Sequence, residues 1–422
     1  MPGLIIAAPA SGSGKTTVTL GLLRLLTRQG MAVRSAKSGP DYIDPRFHEA
    51  ATAAPCVNLD AWAMRPERIA ALAAGNTPLI IEGAMGLFDG APPDGKGAVA
   101  DLARRLGLPV VLVVDAGRMA GSVAALVAGF AEHDPAVKIA GVILNNIGSD
   151  RHERMLRRAL GSGPPVLGAV RRDAALALPS RHLGLVQAEE REALDSFLDL
   201  AADRMEAALD TRALADLTTH APALPARPAA RLAPPAQTIG IARDRAFSFA
   251  YPHMLDDWRR AGAELRLFSP LADDPVPDCE FLFLPGGYPE LFTDELARAT
   301  RFMQSLRNAA HTTEIYGECG GYMVLGQAIT TADSTRVPMA GLLDLETSFE
   351  APRLHLGYRH LHTAHGRLAG DWTGHEFHYA TTLSARGTPL FEAKDAEGTA
   401  LGPVGLVNGR VSGSFAHLID RA

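Results

Sequence analysis

Residues 8–17 read APASGSGKTT and stand between an apolar run at 4–8 and a helical pattern at 16–28. A strand, a loop of small residues and a helix in direct succession leave few architectures open. Gly12 and Gly14 let the backbone curl so that successive N–H groups face one point, and the helix N-terminus adds its positive dipole end. Ser11, Ser13 and Thr17 belong to the same loop, Lys15 brings a cation, and Thr16 brings a hydroxyl. This set suits the phosphates of a nucleotide, with Lys15 reaching the β- and γ-phosphates and Thr16 offering a ligand to Mg²⁺. The first glycine of the usual G-x-x-x-x-G-K-[ST] spacing is Pro9 here, with the glycine shifted to Gly12. Gly14-Lys15-Thr16 is intact.

Further apolar runs at 32–36, 79–81, 110–114 and 139–144 alternate with helical stretches such as 122–131, and a closing amphipathic helix is expected at 189–209. Continuous apolar strands separated by helices predict a parallel sheet covered on both faces. In such a sheet, ligands bind at the C-terminal ends of the strands. Three stretches place polar groups there: AKSGPDYIDPRFH with Lys37, Asp41 and Asp44, IIEGAMGLFDG with Glu82, and VVLVVDAG with Asp115. An acid directly after a buried strand can hold Mg²⁺, which makes Asp44 and Glu82 the candidates beside Thr16.

The stretch APALPARPAARLAPPA at 221–236 has no strand or helix period and reads as an extended linker. Alternation restarts beyond it, with strands expected at 238–242, 264–268, 281–284 and 314–316, a helix at 251–261, and mixed or antiparallel β from 339 onward. The division expected is 1–215, a linker at 216–237, and 238–422. With 422 residues, 47% hydrophobic and 21% charged, the chain can bury two cores, and a disordered protein is excluded. Lys+Arg is 41 against Asp+Glu 47, so nothing favours a nucleic acid partner. No apolar run reaches the ~18 residues of a membrane span. Three cysteines are too few for a disulfide framework. The composition reads as a cytoplasmic α/β enzyme.

Residues 314–321, EIYGECGG, place Cys319 between a strand and a helical pattern, with Gly317 and Gly321 around it. Small neighbours allow the sharp turn of a nucleophile elbow, and a helix N-terminus there is expected to lower the thiol pKa. A thiolate nucleophile needs a base and an oxyanion hole. LPGGYPE at 284–290 offers Gly286 and Gly287, and VSGSFAHL offers His417 as base, with His355, His360, His362, His365, His375 and His378 as competitors. The HEFH string at 375–378 lacks the H-E-x-x-H spacing of a zinc protease.

A nucleotide site and a cysteine hydrolase-like site in one chain, carried by ASGSGKTT (10–17), KSGPDYIDPRFH (37–48), EGAMGLFDG (82–90), LPGGYPEL (284–291), GECGGYMVLG (317–326), LGYR (356–359), GHEFHY (374–379) and GSFAHL (413–418), resemble the cobyrinic and hydrogenobyrinic acid a,c-diamide synthase family over nearly the whole length. The resemblance implies an N-terminal synthetase domain similar to dethiobiotin synthetase and a C-terminal class I glutamine amidotransferase domain. It implies ATP- and Mg²⁺-dependent amidation of the a- and c-acetates of a corrin, with glutamine as nitrogen donor. The partners implied are the corrin polycarboxylate, L-glutamine and ATP, with a homodimer left open.

Carried over by the resemblance, Cys319 is the nucleophile and His417 its base. Gly286, Gly287, Tyr288 and Gly320 form the oxyanion and glutamine site. Lys37 and Asp41 stand near the transferred phosphate or the substrate carboxylate. Asn146 contacts adenine. Family triads often carry a carboxylate two residues after the histidine. Here that position is Ile419, so a Cys–His dyad is expected. AFSFAYPHML at 246–255 departs from the F-x-F-Y-Y-x-x-N-L run of the cobalt-early branch and favours hydrogenobyrinic acid over cobyrinic acid. Ammonia released in one half and used in the other calls for an internal passage. Alternatives are another tetrapyrrole amidase, and a nucleotide-dependent switch with a degenerate hydrolase-like domain.

Overall fold

The computed structural model describes residues 2–177, 180–181, 184–185, 193–219 and 229–422. It divides into two units, Met1–Ala230 and Arg231–Ala422.

In the first unit the chain runs β1 (Gly3–Ala7), α1 (Lys15–Arg28), β2 (Arg34–Ser38), α2 (Asp44–Thr52), β3 (Cys56–Leu59), α3 (Pro66–Ala73), β4 (Leu79–Glu82), α4 (Val99–Leu106) and β5 (Val110–Asp115). It continues through α5 (Ser122–Glu132), β6 (Ile139–Ile147), α6 (Asp150–Leu160) and β7 (Val166–Arg171), and a two-residue ladder of β8 (Ser180–Arg181) and β9 (Gly184–Leu185) precedes α7 (Leu194–Ala208) and α8 (Thr211–Thr219). Seven strands form one sheet in the order β3-β2-β4-β1-β5-β6-β7, and every pair is parallel. Ile5, Ile6, Ile81 and Val111 to Val113 are fully buried, as strands covered on both faces must be. The strand order reverses beside β1, so right-handed crossovers place α1 and α2 on one face and α3 to α6 on the other. α7 packs on α1 and α2. The closing helix begins at Leu194, and residues 189–192 of the expected one lie outside the described residues. Helix α8 reaches Thr219, so the first residues of the expected linker are helical. Of the Pro/Ala-rich stretch, 221–228 lie outside the described residues.

The second unit opens with β10 (Thr238–Ala242), α9 (Pro252–Arg260), β11 (Glu264–Phe268), β12 (Phe281–Leu284), α10 (Thr293–Arg298), α11 (Thr300–Ala309), β13 (Glu314–Glu318) and α12 (Gly320–Leu325). The β-rich remainder is β14 (Ala328–Thr330), β15 (Arg336–Pro338), β16 (Asp344–Ser348), β17 (His355–Thr363), β18 (Gly370–His378), β19 (Thr381–Arg386), β20 (Phe391–Lys394), β21 (Ala400–Val404), β22 (Leu406–Asn408), β23 (Val411–Ser414) and β24 (His417–Arg421). The main sheet has the order β11-β10-β12-β13-β23-β22, parallel except for the β22 edge. Beside it, β21-β20-β17-β18-β24 form an antiparallel sheet and β15-β14-β16-β19 a small mixed one. β23 and β24 belong to different sheets with two residues between them. The C-terminal segment therefore runs from β23, beside β13 in the main sheet, to β24 at the edge of the antiparallel sheet, where it begins with His417. No helix among the described residues is long and apolar enough to cross a membrane.

Candidate functional site

The loop between β1 and α1 takes the shape its glycines permit. Gly12 and Gly14 have φ of +78° and +86°. A Cβ on Gly14 would also lie 2.1 Å from Asn145 Nδ2, so a side chain there meets a second obstacle. Ser13 donates its hydroxyl to Ala10 O at 2.8 Å, and Asn145 donates Nδ2 to Ser13 O at 3.0 Å. Thr17 lies 3.5 Å from Leu176 O through its hydroxyl, and Ser11 is exposed at the loop tip. Lys15 is buried and donates Nζ to Met85 O at 2.6 Å. Burial first, then Lys37, lowers its pKa to about 8. Asn145 is thus the asparagine against the loop. Asn146, the expected adenine contact, has φ +60° and donates Nδ2 to Asp115 Oδ1 at 3.0 Å.

Lys37 and Glu82 face each other across β2 and β4, because their register pairs them directly. Lys37 Nζ lies 2.8 Å from Glu82 Oε1 and 2.5 Å from Asp44 Oδ2. Thr16 Oγ1 donates to the same Glu82 Oε1 at 2.6 Å. The other oxygen, Oε2, meets His48 Nε2 at 2.7 Å, and His48 Nδ1 lies 3.5 Å from Cys56 Sγ. Burial works against every charge in this cluster, and the partners overcome it unevenly. Glu82 is held well below the usual carboxylate range by Lys37 and His48, and Lys37 well above its ordinary value by Asp44 and Glu82. Asp44 is pushed up by burial and Asp41. His48 is held up at about 10 by Cys56 and Glu82. Asp41 accepts the Ile43 and Asp44 N–H groups at 2.7 and 3.3 Å, so it caps α2 and positions Asp44. Asp44 and Glu82 already hold the Lys37 ammonium and Thr16 joins them through Glu82, so the three are hard oxygen donors of the kind Mg²⁺ takes. The reading of the sequence missed Asn145 and His48, because only the folded chain brings Asn145 on β6 to the loop and His48 on α2 to Glu82.

In the second unit, Cys319 turns sharply between β13 and α12 with φ +46° and ψ −102°. A non-glycine residue in this region costs about 1–3 kcal/mol, and such strain belongs to nucleophile elbows. The Cys319 N–H is tied to Ser414 O at 2.8 Å. A Cβ built on Gly286 would lie 3.2 Å from Cys319 Cβ, 3.2 Å from His417 Nε2 and 2.3 Å from His417 Cε1. Gly286 therefore occupies the gap between thiol and imidazole, and only a missing side chain keeps it open. The Gly286 carbonyl accepts the Phe249 N–H at 3.0 Å. In a trans peptide this turns the Gly287 N–H the opposite way. Gly287 N lies 3.0 Å from a Cβ built on Gly320, so the two glycines adjoin at the elbow. Tyr288 is buried with its ring edge-on to Phe249 at 5.1 Å.

The resting thiol departs from expectation. Burial, then Glu290, pushes the Cys319 thiol well above its ordinary value, although a backbone hydrogen bond from Gly320 pulls the other way. Helix α12 has only six residues, and its N-terminus is outweighed by burial and by Glu290, Glu318 and Glu376. A base must take the proton. Beside the elbow, a cavity of about 390 Å³ is lined by Tyr322, Arg359, Glu376, Phe415 and Ala416 among others. Arg359 Nε donates to Glu376 Oε2 at 2.8 Å, and His378 Nε2 lies 2.9 Å from Glu376 Oε1. Burial opposes the charge on Glu376, yet His378 and Arg359 hold it at about 2. His355, Glu376 and His378 come within 4.8 Å of one another. The two imidazoles are stacked 4.6 Å apart at 4°, so their in-plane lone pairs run side by side and do not converge on an ion. The 246–255 stretch, used to favour one corrin, packs behind this site: Ala246 O lies under Gly287, and His253 Nε2 is 2.8 Å from Ile419 O.

Two family models cover the chain. The CobQ/CobB/MinD/ParA nucleotide binding domain matches residues 4–186, and the CobB/CobQ-like glutamine amidotransferase domain matches 238–421. A hydrogenobyrinate a,c-diamide synthase of Sinorhizobium sp is 54% identical over 100% of this chain and 99% of its own. The chain belongs to the hydrogenobyrinate a,c-diamide synthase family. The Brucella abortus protein of the same name is 55% identical over the same shares, and the Rhodobacter capsulatus one 52% identical over 99% of this chain and 98% of its own. Family membership gives the fold as a nucleotide-binding α/β domain followed by a glutamine amidotransferase domain, as the motifs predicted, and places the chain among amide-forming ligases of cobalamin biosynthesis. A switch with a degenerate second domain is set aside.

Proposed function

We propose that the chain amidates the a- and c-acetate carboxylates of hydrogenobyrinic acid, using ATP, Mg²⁺ and ammonia released from glutamine. The observation that carries this reading is the open Gly286 gap between Cys319 and His417, in a chain whose other unit bears Lys15 and the Thr16–Glu82–Asp44 cluster. A carboxylate is a poor electrophile towards ammonia. Phosphoryl transfer from ATP forms a carboxylate O–P bond, breaks the β,γ O–P bond to release ADP, and leaves an acyl phosphate, whose carbonyl carbon ammonia attacks with loss of inorganic phosphate and a proton. Lys15 neutralises charge that gathers on the phosphates in that step. Thr16, Asp44 and Glu82 would hold Mg²⁺, which supplies further positive charge when bound. Lys37 keeps the two acids together and stands near the transferred phosphate or the substrate carboxylate. Asp41 acts through its cap on α2.

In the second unit, His417 takes the thiol proton, Cys319 attacks the glutamine carboxamide, and the C–N bond breaks as His417 returns the proton to the departing ammonia, leaving a thioester that water hydrolyses to glutamate. The Gly287 and Gly320 N–H groups meet the developing oxyanion, with Tyr288 beside them. The zwitterionic end of glutamine matches the Arg359–Glu376 pair, carboxylate to guanidinium and ammonium to carboxylate. Ser11 to Thr17 wrap the phosphates, and Asn146 faces the base.

The test is mass spectrometry of products from hydrogenobyrinic and cobyrinic acids, each supplied alone with ATP, Mg²⁺ and glutamine. Two carboxylate-to-carboxamide conversions on hydrogenobyrinic acid alone are expected, and conversion of cobyrinic acid alone would reverse the substrate choice. Gly286→Ala should cut ammonia release from glutamine by roughly 10²-fold or more, because its methyl group displaces His417. Ammonia release at the wild-type rate would remove Gly286 from the site.

A further inference from the structure

We propose that Glu318 is the carboxylate that positions His417, in the place that Ile419 leaves empty. This rests on the amidotransferase reading of the second unit. Glu318 ends β13, directly before Cys319, and its side chain and that of His417 are both almost wholly buried. Its Oε1 accepts the Leu418 N–H at 3.0 Å, which clamps the carboxylate to β24 one residue beyond the histidine. Its Oε2 lies 3.6 Å from His417 Nδ1. The other ring nitrogen, Nε2, borders the Gly286 gap: it and Cys319 Cβ each lie 3.2 Å from a Cβ placed on Gly286. The acid and the thiol thus address opposite nitrogens of one imidazole.

That placement matters when the proton moves. Sγ–H breaks, Nε2–H forms, and the ring becomes an imidazolium whose Nδ1–H faces Glu318. A cation formed in a buried site is costly unless an anion stands ready beside it. The distance of 3.6 Å is an ion-pair distance, and catalytic pairs of this kind shorten when the substrate is bound. Position 419 cannot serve, since Ile419 is apolar and fully buried.

The turn at Cys319 explains how adjacent residues can flank one ring. Successive side chains of a strand point to opposite faces. With φ at +46° the chain leaves the strand at Cys319, so the thiol is brought round to the ring that Glu318 approaches from the other side. On this account the strained backbone assembles the site from two neighbouring residues, and the acid needs no separate element to carry it.

Glu318→Gln tests the role, because the amide keeps the shape and an oxygen for the Leu418 N–H but loses the charge. Ammonia release from glutamine is measured for the wild type, Glu318→Gln and Glu318→Asp, alongside amidation driven by added ammonium and a thermal melt. The expected result is a kcat for Glu318→Gln lowered by roughly 10²–10⁴-fold with KM for glutamine unchanged, as expected for loss of the carboxylate that orients a base. Glu318→Asp should recover part of the loss. Wild-type kcat in Glu318→Gln, or a raised KM with kcat intact, would overturn the proposal. So would a parallel loss of ammonium-driven amidation and melting temperature, which would mark a purely structural role. A wild-type protein that released no ammonia would overturn the amidotransferase reading itself, and Glu318 would fall with it.

Discussion

Cys319→Ala is expected to lower glutamine-dependent amidation by about 10³-fold or more, while amidation driven by added ammonium stays near the wild-type rate. In the proposed mechanism the sulfur is the atom that bonds to the carboxamide carbon, and no neighbouring group replaces it. Losing the nucleophile of a triad costs on the order of 10⁶ in kcat, and the residual rate comes from the surrounding donors. The fold should survive, since alanine fits the turn at Cys319 no worse than cysteine does. The measurement compares corrin amidation with glutamine and with ammonium chloride at one pH. If both fell together, the two chemistries would share one site. If neither fell, the elbow would have no part in nitrogen supply.

Lys15→Ala should have the opposite signature. Amidation is expected to drop by roughly 10²–10⁴-fold with either nitrogen source, since the lost cation faces the phosphates that carry the charge of the transfer. Ammonia release from glutamine should persist. In the resting protein Lys15 binds the Met85 and Ala10 carbonyls, at 2.6 and 3.4 Å, so its removal leaves two carbonyl acceptors next to solvent and little lost stability. Its pKa of about 8 adds a second readout. Below that pH the side chain is already charged. Above it, nucleotide binding must recharge it, so affinity should weaken as pH rises past about 8 and binding should take up a proton. Calorimetry in buffers of different ionisation enthalpy would measure that proton. Binding that was unchanged between pH 7 and 9 would place the lysine away from the phosphates.

Local strings were the legible part of this chain. The runs at 238–242, 264–268 and 281–284 coincide with β10, β11 and β12: the first and last are short apolar runs, and ELRLF alternates charged and apolar residues as an edge strand does. β3 escaped notice: its four residues include Asn58, whose buried amide serves the Gly39 and Asp41 carbonyls instead of the sheet face. β17 and β18 read only as mixed β, since their histidines and glycines blur the alternation. The same limit applies to the sites. Lys15, Thr16, Cys319 and Gly286 stand in motifs and could be named. Asn145, His48 and the Arg359–Glu376 pair are distant in sequence from the groups they serve. Glu318 is adjacent to Cys319, yet strand alternation would send it to the opposite face. The thiol was misjudged for a related reason, because a helix start can be read from sequence and the burial that outweighs it cannot.

The burial that holds Cys319 protonated has a consequence beyond turnover. Peroxide and other oxidants attack the thiolate, and the ladder from sulfenic to sulfonic acid begins there. A thiol only 4% exposed and pushed above its ordinary pKa is a poor target between catalytic cycles. On the proposed mechanism the sulfur becomes reactive only while His417 takes its proton with the carboxamide in place. Chemical durability and catalytic readiness are thus separated in time, and burial itself is the shield for this sulfur.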